Sequence, residues 1–129
     1  MGKKILIVDD NEKNRKLLRI LFQKYGYETV EAEDGEEAVE MAKKILPDII
    51  LMDVRMPVLD GIRASRIIKS EETTKRIPIV IVTSSATRED RSKITAESGA
   101  DGYFAKPINI KQVVEMVKQF IGPAEKETE

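Results

Sequence analysis

The stretch Ile79-Val80-Ile81-Val82-Thr83-Ser84 decides the fold: four consecutive β-branched aliphatic residues, ended abruptly by hydroxyls. Strict alternation would mark a strand with one wet face, whereas an unbroken run marks a strand covered on both faces, as in a parallel sheet. Pro78 stands at its start, where a missing N–H is tolerated. Working outward, Pro47 precedes a second such run, Asp48-Ile49-Ile50-Leu51-Met52-Asp53. Lys3 to Val8, which stops at Asp9-Asp10-Asn11, is a third. Gly102-Tyr103-Phe104-Ala105-Lys106, closed by Pro107, is a fourth, and Tyr27 to Ala32 adds an alternating fifth strand.

Helical spacing fills the gaps. Leu17, Leu18, Leu21, Phe22 and Tyr25 recur three and four residues apart until Gly26. Asp34-Gly35-Glu36-Glu37 reads as an Asp cap with Glu three residues on, opening a second helix. Met56-Pro57 with Asp60-Gly61 forms a loop before Ile62, Ile67 and Ile68 resume helical spacing. Thr87 to Ser98 is a polar helix with mainly Ile94 and Ala96 to bury, stopped by Gly99. Asn109-Ile110-Lys111-Gln112 caps a last helix carrying Val113, Val114, Val117 and Ile121, which Gly122-Pro123 terminates. Strict βα alternation predicts an α/β fold, a doubly wound open parallel sheet with helices on both faces, because right-handed crossovers place successive helices that way. A closed eight-unit barrel needs about twice this length. Residues 1–122 form the predicted domain and 123–129 a polar C-terminal tail.

Composition removes many mechanisms. The 129 residues contain no Cys, so there is no disulfide framework, thiolate nucleophile or Cys-bound zinc. They contain no His, so there is no imidazole base, phosphohistidine or His-bound metal. Chemistry must rest on carboxylates, hydroxyls, Lys, Arg or Tyr. A formal net charge of -1 with interspersed signs offers no basic face for a phosphate backbone, which argues against direct nucleic-acid binding. The basic start followed by Ile5 to Val8 mimics a secretory signal, but Asp9-Asp10 stops the apolar run after four residues. No apolar stretch approaches the roughly 20 residues that span a bilayer. Leu6 stands where a myristoylation motif wants Ser or Thr. A cytoplasmic location without membrane insertion is the expectation.

In open parallel sheets the ligand site lies beyond the carboxyl ends of the strands, where strand order reverses. The residues there are Asp9 and Asp10, Asp53, Thr83 and Lys106. Each alone has a bland explanation: a helix cap, a turn, a loop start, a solvated end. Together they converge on one rim. Two carboxylates about 4 Å apart repel by roughly 4 kcal/mol at an effective dielectric of about 20, so three in one place require a proton or a cation. All-oxygen ligands suit Mg²⁺, which accepts one or two carboxylates and a phosphoryl oxygen. That chemistry is phosphoryl transfer, with a carboxylate as nucleophile. Asp53 takes the central position, Asp9 and Asp10 are candidate metal ligands, Lys106 pairs with Asp53 and then with a phosphoryl oxygen, and Thr83 donates a hydroxyl hydrogen bond.

These residues resemble the receiver domains of two-component response regulators over about residues 3 to 121. The carriers are Val8-Asp9-Asp10-Asn11, Met52-Asp53-Val54-Arg55-Met56-Pro57 with Asp60-Gly61, Val82-Thr83-Ser84, and Gly102-Tyr103-Phe104-Ala105-Lys106-Pro107. The resemblance implies a flavodoxin-like strand order 2-1-3-4-5. It implies that Asp53 is the phosphoacceptor, fed by the phosphohistidine of a histidine kinase or histidine phosphotransfer protein. It implies direct Mg²⁺ ligation by Asp10 and Asp53, a water-mediated role for Asp9, and a ligand in the backbone carbonyl of Arg55. It further implies a cis Lys106-Pro107 peptide and a switch formed by Thr83 and Tyr103. The output face would comprise the polar fourth helix, the fifth strand and the last helix, and would regulate a downstream target protein. Such a domain is a regulator and not an enzyme, assisting only its own phosphoryl transfer and slow autodephosphorylation. It would be a monomer or a weak phosphorylation-dependent dimer. Arg55 and Ser85 would flank the phosphoryl group and influence how long it lasts.

Three rivals remain distinct. A flavin-binding flavodoxin would need a Ser/Thr/Gly-rich loop where Asp9-Asp10 stands. An aspartyl phosphatase would want a second acid where Arg55 stands, and usually a cap domain. A degenerate receiver used only for interaction would lack some of Asp10, Asp53, Thr83 and Lys106.

Overall fold

The structure, a computed structural model, describes residues 2–84 and 88–123. Strands β1 (Lys4–Val8), β2 (Glu28–Ala32), β3 (Ile49–Asp53), β4 (Ile79–Thr83) and β5 (Gly102–Ala105) alternate with helices α1 (Glu12–Lys24), α2 (Gly35–Ile45), α3 (Gly61–Ser70), α4 (Arg88–Ser98) and α5 (Ile110–Ile121). The strands are parallel throughout and lie in the order β2-β1-β3-β4-β5, as expected. The order therefore reverses between β1 and β3, and a crevice opens at their carboxyl ends.

Burial follows the residue types. Every residue of β3 and β4 is buried, as their unbroken aliphatic runs require, whereas β2 lies at the edge and buries only Ala32 fully. The alternation of side chains across the sheet sorts the core into two layers. Ile5, Ile7, Ile49, Leu51, Val80, Val82 and Phe104 meet Leu18 and Phe22 of α1 and Val113, Val114 and Val117 of α5. Leu6, Val8, Ile50, Met52, Ile79, Ile81 and Tyr103 meet the small faces of α2 and α3, chiefly Ala38, Ala42, Ala64 and Ile68, and Ile94 of α4. Among the described residues no helix is long and apolar enough to cross a membrane.

Several expectations change in detail. β1, β2 and β3 each begin one residue later than predicted, and β5 ends at Ala105, so Lys106 stands just outside the ladder. Pro78 still accepts a hydrogen bond from the Ile50 N–H although β4 proper starts at Ile79. Asp34 caps α2 through the Glu37 N–H, but the Glu37 carboxylate takes the N–H of Glu33 rather than that of the cap residue. On α1, Leu17 and Tyr25 face solvent, and the buried stripe runs instead through Arg15, Leu18 and Phe22. On α4, Ala96 is exposed, and Ile94 and Ser98 are the buried positions. Ser85, Thr87 and residues 124–129 lie outside the described residues.

Candidate functional site

The strand-end residues meet in one crevice of about 320 Å³, lined among others by Asp9, Asp10, Asp53, Arg55, Thr83 and Lys106. Parity brings them there. Ile5 and Ile7 face α1 and α5, and so, two residues on, does Asp9; the same step leads from Leu51 to Asp53 and from Phe104 to Lys106. Three residues from three strands thus project from one side of the sheet end, and the long Lys106 stem crosses past β4 to reach the acids. A backbone bond from the Lys106 N–H to the Thr83 carbonyl, 2.8 Å, anchors its base. The Lys106-Pro107 peptide is cis.

Carboxylate oxygens of Asp9, Asp10 and Asp53 all lie within 4.8 Å of one another. The Lys106 ammonium sits 3.5 Å from Asp9 Oδ2 and 3.5 Å from Asp53 Oδ1, midway between two of the three. Asp9 and Asp53 are buried, whereas Asp10 is exposed. Burial, and then the charge of Asp9, push the Asp53 carboxyl above the ordinary carboxylate range, against the opposing pull of Lys106 and of the Val54 N–H. The site is therefore short of positive charge, and its donor set is wholly oxygen. A hard divalent cation fits both facts.

Gly61 is what lets α3 begin so close to the acids. A Cβ at this position would lie 1.9 Å from the Asp53 carbonyl oxygen, so only glycine permits the approach. Its N–H bonds the Val54 carbonyl at 2.9 Å, and Asp60 caps α3 through the Arg63 N–H. The loop between carries Val58 in the left-handed region, φ 70°, with its side chain largely exposed.

Thr83 shares its sheet face with Ile81, which pairs in register with Tyr103. Thr83 and Tyr103 thus lie on the α2–α4 side, with Thr83 at the crevice and Tyr103 farther back on β5. The Tyr103 ring is buried, and the Arg91 guanidinium of α4 stands 4.9 Å from its centroid. Burial pushes the Tyr103 phenol up, with Arg91 pulling it partly back.

Two residues near the acids escaped the sequence reading. Asn14 Nδ2 donates to Asp9 Oδ2 at 3.3 Å, and Arg15 Nη1 donates to the Asp9 carbonyl at 2.8 Å. The available signal was helical spacing: Asn11, Asn14 and Arg15 project on the face that continues through Leu18 and Phe22, so a cation stood where the stripe called for an aliphatic residue.

Comparison with known proteins agrees with this geometry. A family model of the response regulator receiver domain matches residues 5–118. The polar-differentiation response regulator DivK of Brucella ovis is 37% identical over 124 residues, which span 96% of this chain and 100% of DivK. The receiver domain of a sensor histidine kinase from Pseudomonas aeruginosa PAO1, solved with a magnesium ion coordinated in its active-site cleft, matches with a TM-score of 0.87 at 35% identity, covering 95% of this chain and 99% of that one. The Vibrio cholerae chemotaxis protein CheY4 matches with a TM-score of 0.86 at 30% identity, covering 93% and 99% of the two chains. With fold, strand order and acidic crevice in agreement, the chain belongs to the response regulator receiver domains of two-component signalling.

Proposed function

We propose that this protein is a phosphorylation-dependent switch whose phosphoacceptor is Asp53. The observation that carries the proposal is the Lys106 ammonium poised 3.5 Å from both Asp9 and Asp53 at the mouth of a three-carboxylate crevice. A carboxylate oxygen of Asp53 forms an O–P bond as the N–P bond of a phosphohistidine on a histidine kinase or phosphotransfer protein breaks; the imidazole nitrogen keeps the electron pair. As the Asp53 charge moves onto the phosphoryl oxygens, Lys106 exchanges its carboxylate partner for one of them. Asp10, Asp53 and the Arg55 carbonyl would hold Mg²⁺ directly, with Asp9 acting through water. Bound there, Mg²⁺ supplies charge screening between the acids and the incoming phosphoryl group.

Thr83, at the crevice, donates its hydroxyl to the phosphoryl group, and Tyr103, on the same sheet face, responds to the space that Thr83 vacates. The readout surface is the groove between α4, β5 and α5, lined by Arg91, Tyr103, Lys111, Glu115 and Gln119. Its partner is a downstream target protein. The domain spans 1–122, is cytoplasmic and acts as a monomer or a weak phosphorylation-dependent dimer. It turns over no substrate beyond its own transfer and slow autodephosphorylation.

The test is transfer from a phosphohistidine donor. A ³²P-labelled histidine phosphotransfer protein, mixed with this chain and Mg²⁺, loses label to the wild type and keeps it with Asp53→Asn. Equal labelling of the two proteins overturns the assignment, and continuous release of phosphate at many equivalents favours a phosphatase instead.

A further inference from the structure

Behind the Asp9–Asp10 turn lies Arg15, the one buried cation among the described residues, 9% exposed. Its fork bridges two elements. Nη1 donates to the Asp9 carbonyl at 2.8 Å, and Nε donates to Glu31 Oε1 on β2 at 3.0 Å. The second Glu31 oxygen accepts from Arg19 Nη1 at 2.8 Å, so the three side chains keep one net positive charge behind the acids. Packing alone does not call for an ion here, because buried ion pairs are commonly replaced by apolar residues at no loss of stability. The arrangement has another consequence.

Asp9 is gripped at every polar atom. Its N–H bonds the Ala32 carbonyl at 3.2 Å, its carbonyl is held by Arg15, Oδ1 accepts the Asn11 N–H at 2.9 Å, and Oδ2 faces Asn14 and Lys106. The Asp10 carboxylate is exposed and has no protein donor among the described residues. What directs it is the peptide that joins it to Asp9. That peptide is planar, so anchoring its oxygen fixes the N–H and Cα of Asp10 as well.

We propose that Arg15, oriented by Glu31, is a positioning residue that locks the Asp9–Asp10 peptide and so presents Asp10 to the divalent cation of the phosphoryl-transfer site. The inference rests on the reading of that site given above. It is a claim about geometry more than charge: a lysine keeps the charge but has no planar fork to hold a carbonyl and a carboxylate at once.

Mg²⁺ alone is the probe. Its affinity for the full chain is measured by titration calorimetry, and amide exchange at Asp9 and Asn11 is followed in the metal-free protein. Arg15→Met and Arg15→Lys should both weaken Mg²⁺ about tenfold, the low end for residues that orient metal ligands, and Glu31→Gln by less. Exchange at Asp9 and Asn11 should quicken in all three. Val117→Ala, a truncation in α5, controls for lost stability: it should lower the melting temperature yet leave affinity within about twofold and leave these amides alone. Wild-type affinity in a folded Arg15→Lys or Arg15→Met protein overturns the proposal. Should the Arg15 variants not fold, Glu31→Gln decides, and unchanged affinity with unchanged exchange overturns it. A wild-type chain that binds no Mg²⁺ removes the metal site and this inference together, whereas firm wild-type binding with indifferent variants removes the inference alone.

Discussion

Replacing Asp53 by Asn should make the metal-free protein more stable. At an effective dielectric of about 20, the Lys106 ammonium at 3.5 Å attracts the Asp53 carboxylate by roughly 5 kcal/mol. The Asp9 carboxylate, within 4.8 Å, repels it by about 3.5 kcal/mol or more on the same scale. Asp10 adds repulsion, weakened by water because it is exposed. The pairwise terms therefore come close to balance, and the cost of holding a buried carboxylate ionised tilts the outcome, in keeping with the raised pKa of Asp53. Asn keeps the volume and removes the charge, while Lys106 retains Asp9 as its partner. A gain of about 1 kcal/mol follows, typical of relieving a site shaped for activity rather than stability. For a domain of this size it amounts to about 3–5 °C in melting temperature.

The pH dependence has a definite sign. A carboxyl whose folded pKa lies above its unfolded value of about 3.9 leaves the folded state holding more protons. Wild-type stability should therefore fall as pH rises from about 3.9 through the folded pKa, and the Asn variant should lack this component. Mg²⁺ reverses the order of the two proteins: at ten times its dissociation constant it adds about 1.4 kcal/mol to the wild type, and much less to a variant without the Asp53 ligand. Circular dichroism melts with and without Mg²⁺ provide the assay, since the chain has no Trp. A metal-free Asn variant less stable than the wild type, or an equal Mg²⁺ response in both, refutes the reasoning.

Other perturbations follow from single contacts. Gly61→Ala should cost about 3 kcal/mol or more and abolish phosphoryl uptake, because its Cβ would strike the Asp53 carbonyl at 1.9 Å and displace the end of β3; urea titration with a labelling assay checks both effects. Val58→Gly should stabilise the protein: a β-branched residue at φ 70° costs about 1–2 kcal/mol, glycine's unfolded-state entropy returns roughly 0.5–1 of it, and the urea midpoint should rise accordingly. Arg91→Ala should move the Tyr103 phenol further upward, because the guanidinium favours the phenolate; ultraviolet tyrosinate titration of the wild type and variant checks the direction.

The parts legible in the sequence share one physical origin. Strands β3 and β4 are buried on both faces, so their aliphatic runs are unmistakable, and what ends them must lie on the crevice side of the sheet. Asp53 and Thr83 were visible for that reason, whereas Lys106 follows the shorter β5 and was marked by the Pro107 that closes that strand. Helix α1 was harder to orient. Leu17, Leu18, Leu21, Phe22 and Tyr25 all satisfy helical spacing, and apolar content alone does not say where the buried stripe is centred; hydrogen bonding of Arg15 to Asp9 and Glu31 rotates it away from Leu17 and Tyr25. Ala96 was misplaced for a related reason: on a helix this polar, one small residue carries no directional signal, and Ser98 takes the buried position. Gly61 read as a turn residue, whereas its role is the close approach of α3 to β3, which sequence spacing does not encode.

The proposed role of Asp53 is to accept a phosphoryl group with the help of a divalent cation. The most direct measurement is intact mass after incubation with acetyl phosphate and Mg²⁺ under a mildly acidic quench, with Asp53→Ala and a Mg²⁺-free sample alongside, and peptide mapping of any adduct. One phosphoryl group is expected, located on Asp53 and absent from both controls. An adduct that persists in Asp53→Ala, or that maps to Asp9 or Asp10, would contradict it.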